Sequence, residues 1–437
     1  MIVDPFNDRK TKIDASWGRF FEKIPLDMAV RALTFETSIT NAWYADPGAG
    51  NQPNLSASNY VPGGPIAFQG DPSALENVAP GTGSQFQDEV TAGAEHEFRN
   101  GITFTGRFVY RDLRRIIEDM SGINVTQALA GVPQIYVVGN PSAKLDIFQN
   151  ANACSNPGVG NCIAYPNPFG AGNVGFTAFK NGTTNPLGSD GIPDGFPNPS
   201  RIYKSMELIF SKRLPFYNAT FYGSYVLSKL DGNFQGSYRS DNGQQDPNIS
   251  SLFDFTNSDG ILTGQTIPGV LPSDRTHQLK LFGNFQWHAI NVGLSFTPSS
   301  GTPITDLLDH PAYDNAGEIP VCPSPAGQPL PNSNTVTPAS FTCAGGPRGA
   351  FGRTAWTFPF NAHLDYTWKI GERLRVKAVA DLFNLFNEQA ITRVNQYGEV
   401  SGSPGTANPD FLKPALGTFA DPYQNPFNAR LAVRFEF

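Results

Sequence analysis

The 437-residue sequence is short of aliphatic side chains, of charge and of cysteine. Hydrophobic residues make up 39% of it, below the roughly 45–50% of ordinary globular domains. Charged residues reach only 16%, with a formal net charge of -7. No basic run marks a nucleic-acid footprint, so no nucleic-acid partner is expected. No stretch of about 18 apolar residues occurs, which excludes a transmembrane helix. Met1 to Pro5 lacks the basic and apolar regions of a signal peptide. The histidines, at 96, 277, 288, 310 and 363, are scattered and fit no metal-ligand spacing. No nucleophile elbow is present. Gly188 to Gly195 places two aspartates among glycines without the spacing of an EF-hand, and reads as a turn before a calcium loop. A cofactor, a metal site and catalytic residues are therefore not expected, and the chain reads as a non-enzyme.

What the chain has instead is rings and backbone breakers. It holds 34 Phe and 14 Tyr, with 44 Gly and 37 Pro, nearly a fifth of its length. Glycine and proline cost about 1 and 3 kcal/mol inside a helix, so long helices are not the main element. Disordered chains lack aromatics, so disorder is not the answer either. The cysteines fall in two local pairs, Cys154/Cys162 and Cys322/Cys343, each in a Gly/Pro/Asn-rich stretch. Their spacings fit no zinc motif, and two loop disulfides in an oxidising compartment are preferred to free thiols.

Period-2 alternation is the main signal. Leu431, Val433, Phe435 and Phe437 fall on one face of the last segment, with Arg430, Arg434 and Glu436 on the other. Leu374, Val376, Ala378, Ala380 and Leu382 oppose Arg375, Lys377 and Asp381. The same pattern recurs at 102–111, 205–213, 277–287 and 360–368, and more weakly at 11–21, 88–98, 217–229 and 290–298. These segments make about ten amphipathic strands. A tilted strand needs about 9–11 residues to cross a bilayer core. Short connections alternate with long ones, at roughly 22–87, 114–200, 231–274, 301–353 and 387–426. Soluble domains rarely carry so many long structureless loops, whereas outer-membrane barrels have short periplasmic turns and long extracellular loops. The expected fold is all-β, a transmembrane antiparallel outer-membrane β-barrel in the outer membrane of a Gram-negative bacterium. Lipid would meet one face, with Trp17, Tyr110, Trp287, Tyr366 and Trp368 in the interfacial girdles. Leu431, Val433, Phe435 and Phe437 would form the C-terminal signal read by the barrel-assembly machinery.

Several strings resemble the C-terminal half of TonB-dependent outer-membrane receptors, in particular the Oar-like group. They are Gln87–Val90 with Tyr110–Leu113, Tyr203–Leu208 with Lys212-Arg213, and Pro272–His277 with Lys280–Gly283. Ser300–Pro303, Gly352–Thr354 and Asp381–Asn387 complete the set. The resemblance implies a barrel of about 22 strands around a plug. Only about ten strands and no plug or TonB-contacting box are read here, so residues 1–437 are expected to be one partial barrel domain, a C-terminal fragment. A self-standing ten-stranded barrel, closed by pairing its first and last strands, is the alternative.

The inner wall would carry Arg107, Arg111, Glu207, Arg213, Lys280, Arg375, Lys377, Asp381, Arg430 and Arg434. These would contact a plug or a substrate, or simply solvate a wide lumen. The resemblance implies energy-coupled passage of an unknown extracellular substrate, bound at the loops, with TonB engaged through a plug outside this chain. A passive porin, or an adhesin-like barrel that binds partners through its loops, is the rival.

Overall fold

The computed structural model describes residues 2–24, 77–124, 136–148, 162–166, 173–177, 189, 191, 193–244, 247, 250–256, 268–310, 315–320, 348–371, 374–401, 406–415 and 421–437. Ten long strands form one antiparallel sheet. They are β1 (Thr11–Phe21), β2 (Phe86–Glu97), β3 (Ile102–Arg114), β4 (Arg201–Leu214), β5 (Ala219–Gly232), β6 (His277–Trp287), β7 (Ile290–Phe296), β8 (Phe360–Ile370), β9 (Leu374–Phe383) and β10 (Asn428–Glu436). Each pairs with its sequence neighbours, as expected from the alternation. Ile2–Val3 adds a short strand on the outer edge of β1. Among the described residues β1 and β10 do not pair, so the sheet is open at both edges.

The connections follow the alternation of short and long. The short turns lie at one end of the sheet and bend through left-handed residues: Asn7 and Arg9 before β1, Gly101 between β2 and β3, Tyr217 and Asn218 between β4 and β5, His288 between β6 and β7, and Gly371 after β8. Two-residue hairpin turns need such angles to match the twist of the strands. Asp4 and Asp8 hold the first turn by accepting backbone N–H bonds from Arg9 and Lys10, each at 2.8 Å.

The register aligns the alternation from strand to strand. Arg107 lies opposite Glu207, Lys280 opposite Ser224, Lys377 opposite Arg434 and Asp381 opposite Arg430. The other face carries Trp17, Phe108, Met206, Phe285, Leu364 and Leu431, all exposed. Leu431 is 77% exposed and Trp17 67%. An apolar belt this wide has no place against water. It fits a bilayer, where only alternate residues meet lipid.

The buried core lies beyond the sheet. Ala79, Leu113, Ile116, Met120, Val137, Phe148, Phe196, Phe234, Leu252 and Phe253 form one cluster. Nine of these ten sit in the long connections, Met120 and Val137 in short strands there, and only Leu113 in one of the ten wall strands. This corrects the expectation of structureless polar loops: the connections hold apolar residues singly, and only folding gathers them. Fully burying each of these phenylalanines contributes about 1.5–3 kcal/mol. Cys154, Cys322 and Cys343 lie outside the described residues, and Cys162 belongs to a strand, Cys162–Pro166, described only by its backbone.

A charge placed on the apolar face should be far more damaging than one on the polar face. Leu364→Arg is expected to cost about 2–4 kcal/mol, and Thr103→Arg less than about 1. Urea unfolding in lipid vesicles, read by heat-modifiable migration, measures the difference. Equal costs would mean that the apolar face does not meet lipid.

Candidate functional site

The polar face of the sheet gathers charge unevenly. Arg107 faces Glu207 at 3.9 Å, and Arg111 pairs with Glu89 at 2.5 Å. The densest group spans β7 to β10. Arg430 donates to Asp381 at 2.6 Å, Asp381 meets His363 Nδ1 at 2.6 Å, and His363 Nε2 meets Asp365 at 3.0 Å. Asp365 also takes Asn291 Nδ2 at 2.9 Å and lies 3.5 Å from Lys377. Both ring nitrogens of His363 therefore face a carboxylate. Arg213 donates to Asn218 at 3.4 Å, and Arg434 lies 3.3 Å from Glu436. Lys280 and Arg375 make no ion pair among the described residues. Beside this group, a cavity of about 760 Å³ near the short-turn end is lined by His288, Lys369, Arg375 and Lys377, with Asp365 the one acid among the described lining residues. The sheet thus unites Lys377, Asp381 and Arg430. It leaves Arg107 with Glu207, and Arg213 and Lys280 apart. Leu431, Val433 and Phe435 share the exposed apolar face of β10, and Phe437 is exposed just beyond it.

At the other end, the five long connections interlock. Asn77–Val78, from the connection before β2, pairs with Tyr136–Gly139, from the one after β3. Asn124 bridges to Thr256, joining that connection to the one after β5. Arg239 then donates to the Gly317 carbonyl at 3.2 Å, reaching the connection after β7. Leu307 N–H donates to Gln396 O at 2.9 Å, reaching the connection after β9. Tyr397 Oη donates to Asn242 O at 2.6 Å and closes the circuit. We call this body the canopy.

Two ion clusters hold it. Arg239 and Arg348 are fully buried around Asp241, with Arg239 Nε donating at 3.3 Å and Arg348 Nη1 forming an ion pair at 3.8 Å. Gln235 donates to the same carboxylate at 2.6 Å. Desolvation works to raise the Asp241 carboxyl, but the two guanidinium groups outweigh it and hold it below the usual carboxylate range. The same burial pushes Arg348 down to about 10. The second cluster is a clamp at the ends of β5, β6 and β8. Asp274 accepts Arg353 Nη2 at 2.6 Å and the Leu230 N–H at 2.7 Å. Arg353 also reaches Gly301 O at 3.0 Å, and Arg275 donates to Ser300 O at 2.7 Å. A side chain at Gly301 would collide with the Thr354 backbone, so only glycine fits.

This clamp joins three strings that stood far apart in sequence: Pro272–His277, Ser300–Pro303 and Gly352–Thr354. The string Asp381–Asn387 turns the chain out of β9, with Asn384 and Asn387 in left-handed conformation. Asn384 Nδ2 donates to Glu388 O and Asn425 O, both at 2.7 Å. Sequence reading missed the Asp241 cluster, since Asp241 formed no visible group with its neighbours in the chain. Only the Arg239-x-Asp241 spacing hinted at it. Asp194 is a structural acceptor, taking the Ile147 and Phe148 N–H groups. Among the described residues no group of three His, Cys, Asp or Glu could hold a metal.

No protein-family model matches the chain. Over 426 residues, 90% of its length, it is 26% identical to the TonB-dependent transporter Oar of Myxococcus xanthus, of which this spans 32%. The chain thus spans about a third of the curated relative it matches. Among solved structures, the outer membrane transporter YddB from Escherichia coli aligns with the whole chain and 40% of its own, at 11% identity and a TM-score of 0.49. The FpvAI–pyocin S2 complex aligns with the whole chain and 32% of its own, at 11% identity and a TM-score of 0.37.

Two outcomes test the canopy. Arg239→Ala removes the link to Gly317 and leaves Asp241 with one guanidinium. Breaking such a buried pair is expected to cost about 3–5 kcal/mol. Amide exchange should quicken at 250–253 and 315–320 while β8 and β9 stay protected. Uniform exchange across canopy and wall would count against a separate canopy unit. The second test is pH. Burial, aided by nearby Glu399, raises Asp306 from 3.8 to about 6. The folded form then holds its proton more tightly than the unfolded chain, so stability is full below pH 3.8 and falls as pH rises to about 6. Thermal unfolding across that window should show the fall, and Asp306→Asn should flatten it.

Proposed function

We propose that this chain is the C-terminal part of the barrel wall of a TonB-dependent outer-membrane transporter, not an enzyme. The observation that carries the reading is a ten-stranded antiparallel wall, apolar on one face and charged on the other, with short turns at one end and the canopy at the other. The match to Oar supports the same reading. The open sheet edges support a partial barrel, because lipid supplies no partner for an unpaired strand edge. Further strands outside residues 1–437 would complete the wall, and lipid and the assembly machinery would meet it through the apolar face and Leu431, Val433, Phe435 and Phe437.

The roles divide by position. The canopy faces outward and captures a substrate. The inner wall, with Arg107, Arg111, Glu207, Arg213, Lys280, Arg375, Lys377, Asp381, Arg430 and Arg434, contacts a plug and the substrate in transit. TonB moves the plug, and the proton gradient of the inner membrane drives it. The charged cavity by Arg375 and Lys377 suits an acidic segment or an anionic solute. A passive porin needs an open mouth, and a packed canopy works against one.

Expression behind an export signal, together with the sequence its gene encodes upstream, tests this. The protein is expected in the outer-membrane fraction, heat-modifiable on gels, and crosslinked to TonB in living cells. A soluble monomer would overturn the barrel, and a folded outer-membrane protein that never crosslinks to TonB would overturn the transporter.

A further inference from the structure

The canopy contains a cavity of about 510 Å³, within the usual range of ligand sites. Its walls combine Arg393, Lys413, Tyr397, Tyr423, Asn242 and Asp241. Charge accounting around it is uneven. Asp241 is neutralised by Arg239 and Arg348. Lys413 and Asp410 pair with each other at 2.9 Å near the solvent. Arg393 is half-buried, and among the described residues its guanidinium has no hydrogen-bond or ion-pair partner. Its backbone is fixed from both sides: its N–H bonds Pro422 O at 3.2 Å, and its carbonyl accepts the Ala415 N–H at 3.2 Å. Flanking bridges, Ile391 to Tyr423 and Val394 to Pro414, hold the same segment. Among the described residues, a guanidinium without a bonded partner, on a fixed backbone, is thus left facing a cavity that two tyrosines help to line.

We propose that this cavity binds a small organic anion, a carboxylate joined to an aromatic or apolar group, with Arg393 as its carboxylate partner. The guanidinium fork matches a carboxylate with two parallel hydrogen bonds. The Tyr423 ring, 38% exposed, offers an apolar face for the rest of the ligand. Tyr397 is already spent on Asn242, so it shapes the wall and leaves the charge to Arg393. The carboxyl end of a peptide and a free aryl carboxylate share this chemistry. The inference rests on the canopy being the outward, capturing side of the protein.

The test uses the full-length protein purified from outer membranes, whose heat-modifiable migration checks the barrel reading separately. Hippurate, which joins a phenyl ring, an amide and a carboxylate, is the probe, with neutral hippuramide as its control. Saturation-transfer NMR should show hippurate binding with Kd about 1 mM. Hippuramide should bind about tenfold more weakly or worse, and so should hippurate to Arg393→Ala. Arg393→Gln serves if the alanine variant does not fold. Equal binding of hippurate and hippuramide, a loss under tenfold in a folded Arg393 variant, or no hippurate binding to a correctly folded protein would overturn the site. Peptides with free or amidated carboxyl ends then separate the two sources: tighter binding of the free-ended peptide than of hippurate assigns a peptide ligand, and the reverse assigns an aryl carboxylate.

Discussion

In hydrocarbon an unpaired backbone N–H or C=O has no water to turn to. That constraint organises the molecule. It makes the wall a sheet of long antiparallel strands, each hydrogen-bonded along its length to its neighbours in sequence. It lets the outward side chains be Leu364, Phe108 or Leu431, exposed in a way that water would not tolerate. The inward side chains are then free to be charged. The group around His363, Asp365 and Asp381 can exist on the wall because cross-strand neighbours supply its partners.

The same constraint displaces the hydrophobic core. A wall with lipid on one side and a polar face on the other has no interior of its own. The packed apolar cluster sits instead among the long connections, around Ile116, Met120, Phe234 and Phe253. There the Arg239–Asp241–Arg348 cluster does what main-chain ladders do in the wall: it fixes segments that share no strand. A buried ion pair of this kind contributes little net stability but is costly to break, which suits a part whose task is to hold one arrangement.

How much of this was legible in the sequence follows from how local each signal is. The strands were legible because one residue in two meets lipid, and that period survives in the chain itself; all ten lie within a few residues of their expected places. The wall charges could be put on one face by parity alone. Their partners could not, because Asp381 meets His363 only through the register of β8 and β9. The canopy was the least legible part. Phe148 and Phe234, or Arg239 and Gly317, stand far apart among polar residues, and no period connects them. The strings Pro272–His277, Ser300–Pro303 and Gly352–Thr354 were visible, but their reason, a single clamp around Asp274 and Arg353, needed three dimensions.

The two ends of the wall differ in one more respect. Successive strand pairs are joined at one end by turns of a few residues, with single ties from one hairpin to the next such as Thr367 N–H to Ala289 O at 3.0 Å and Asn218 Nδ2 to Gln286 Oε1 at 3.5 Å. At the other end the connections are cross-tied by Tyr397 to Asn242, Arg239 to Gly317 and Asn124 to Thr256. Mechanically, the wall resembles a row of staves hooped more strongly at one rim than at the other. A radial load spreads over the strongly hooped rim and is met by several connections together, whereas at the other rim it falls on the few bonds between one hairpin and the next. Such a structure yields first at the end where the turns are short.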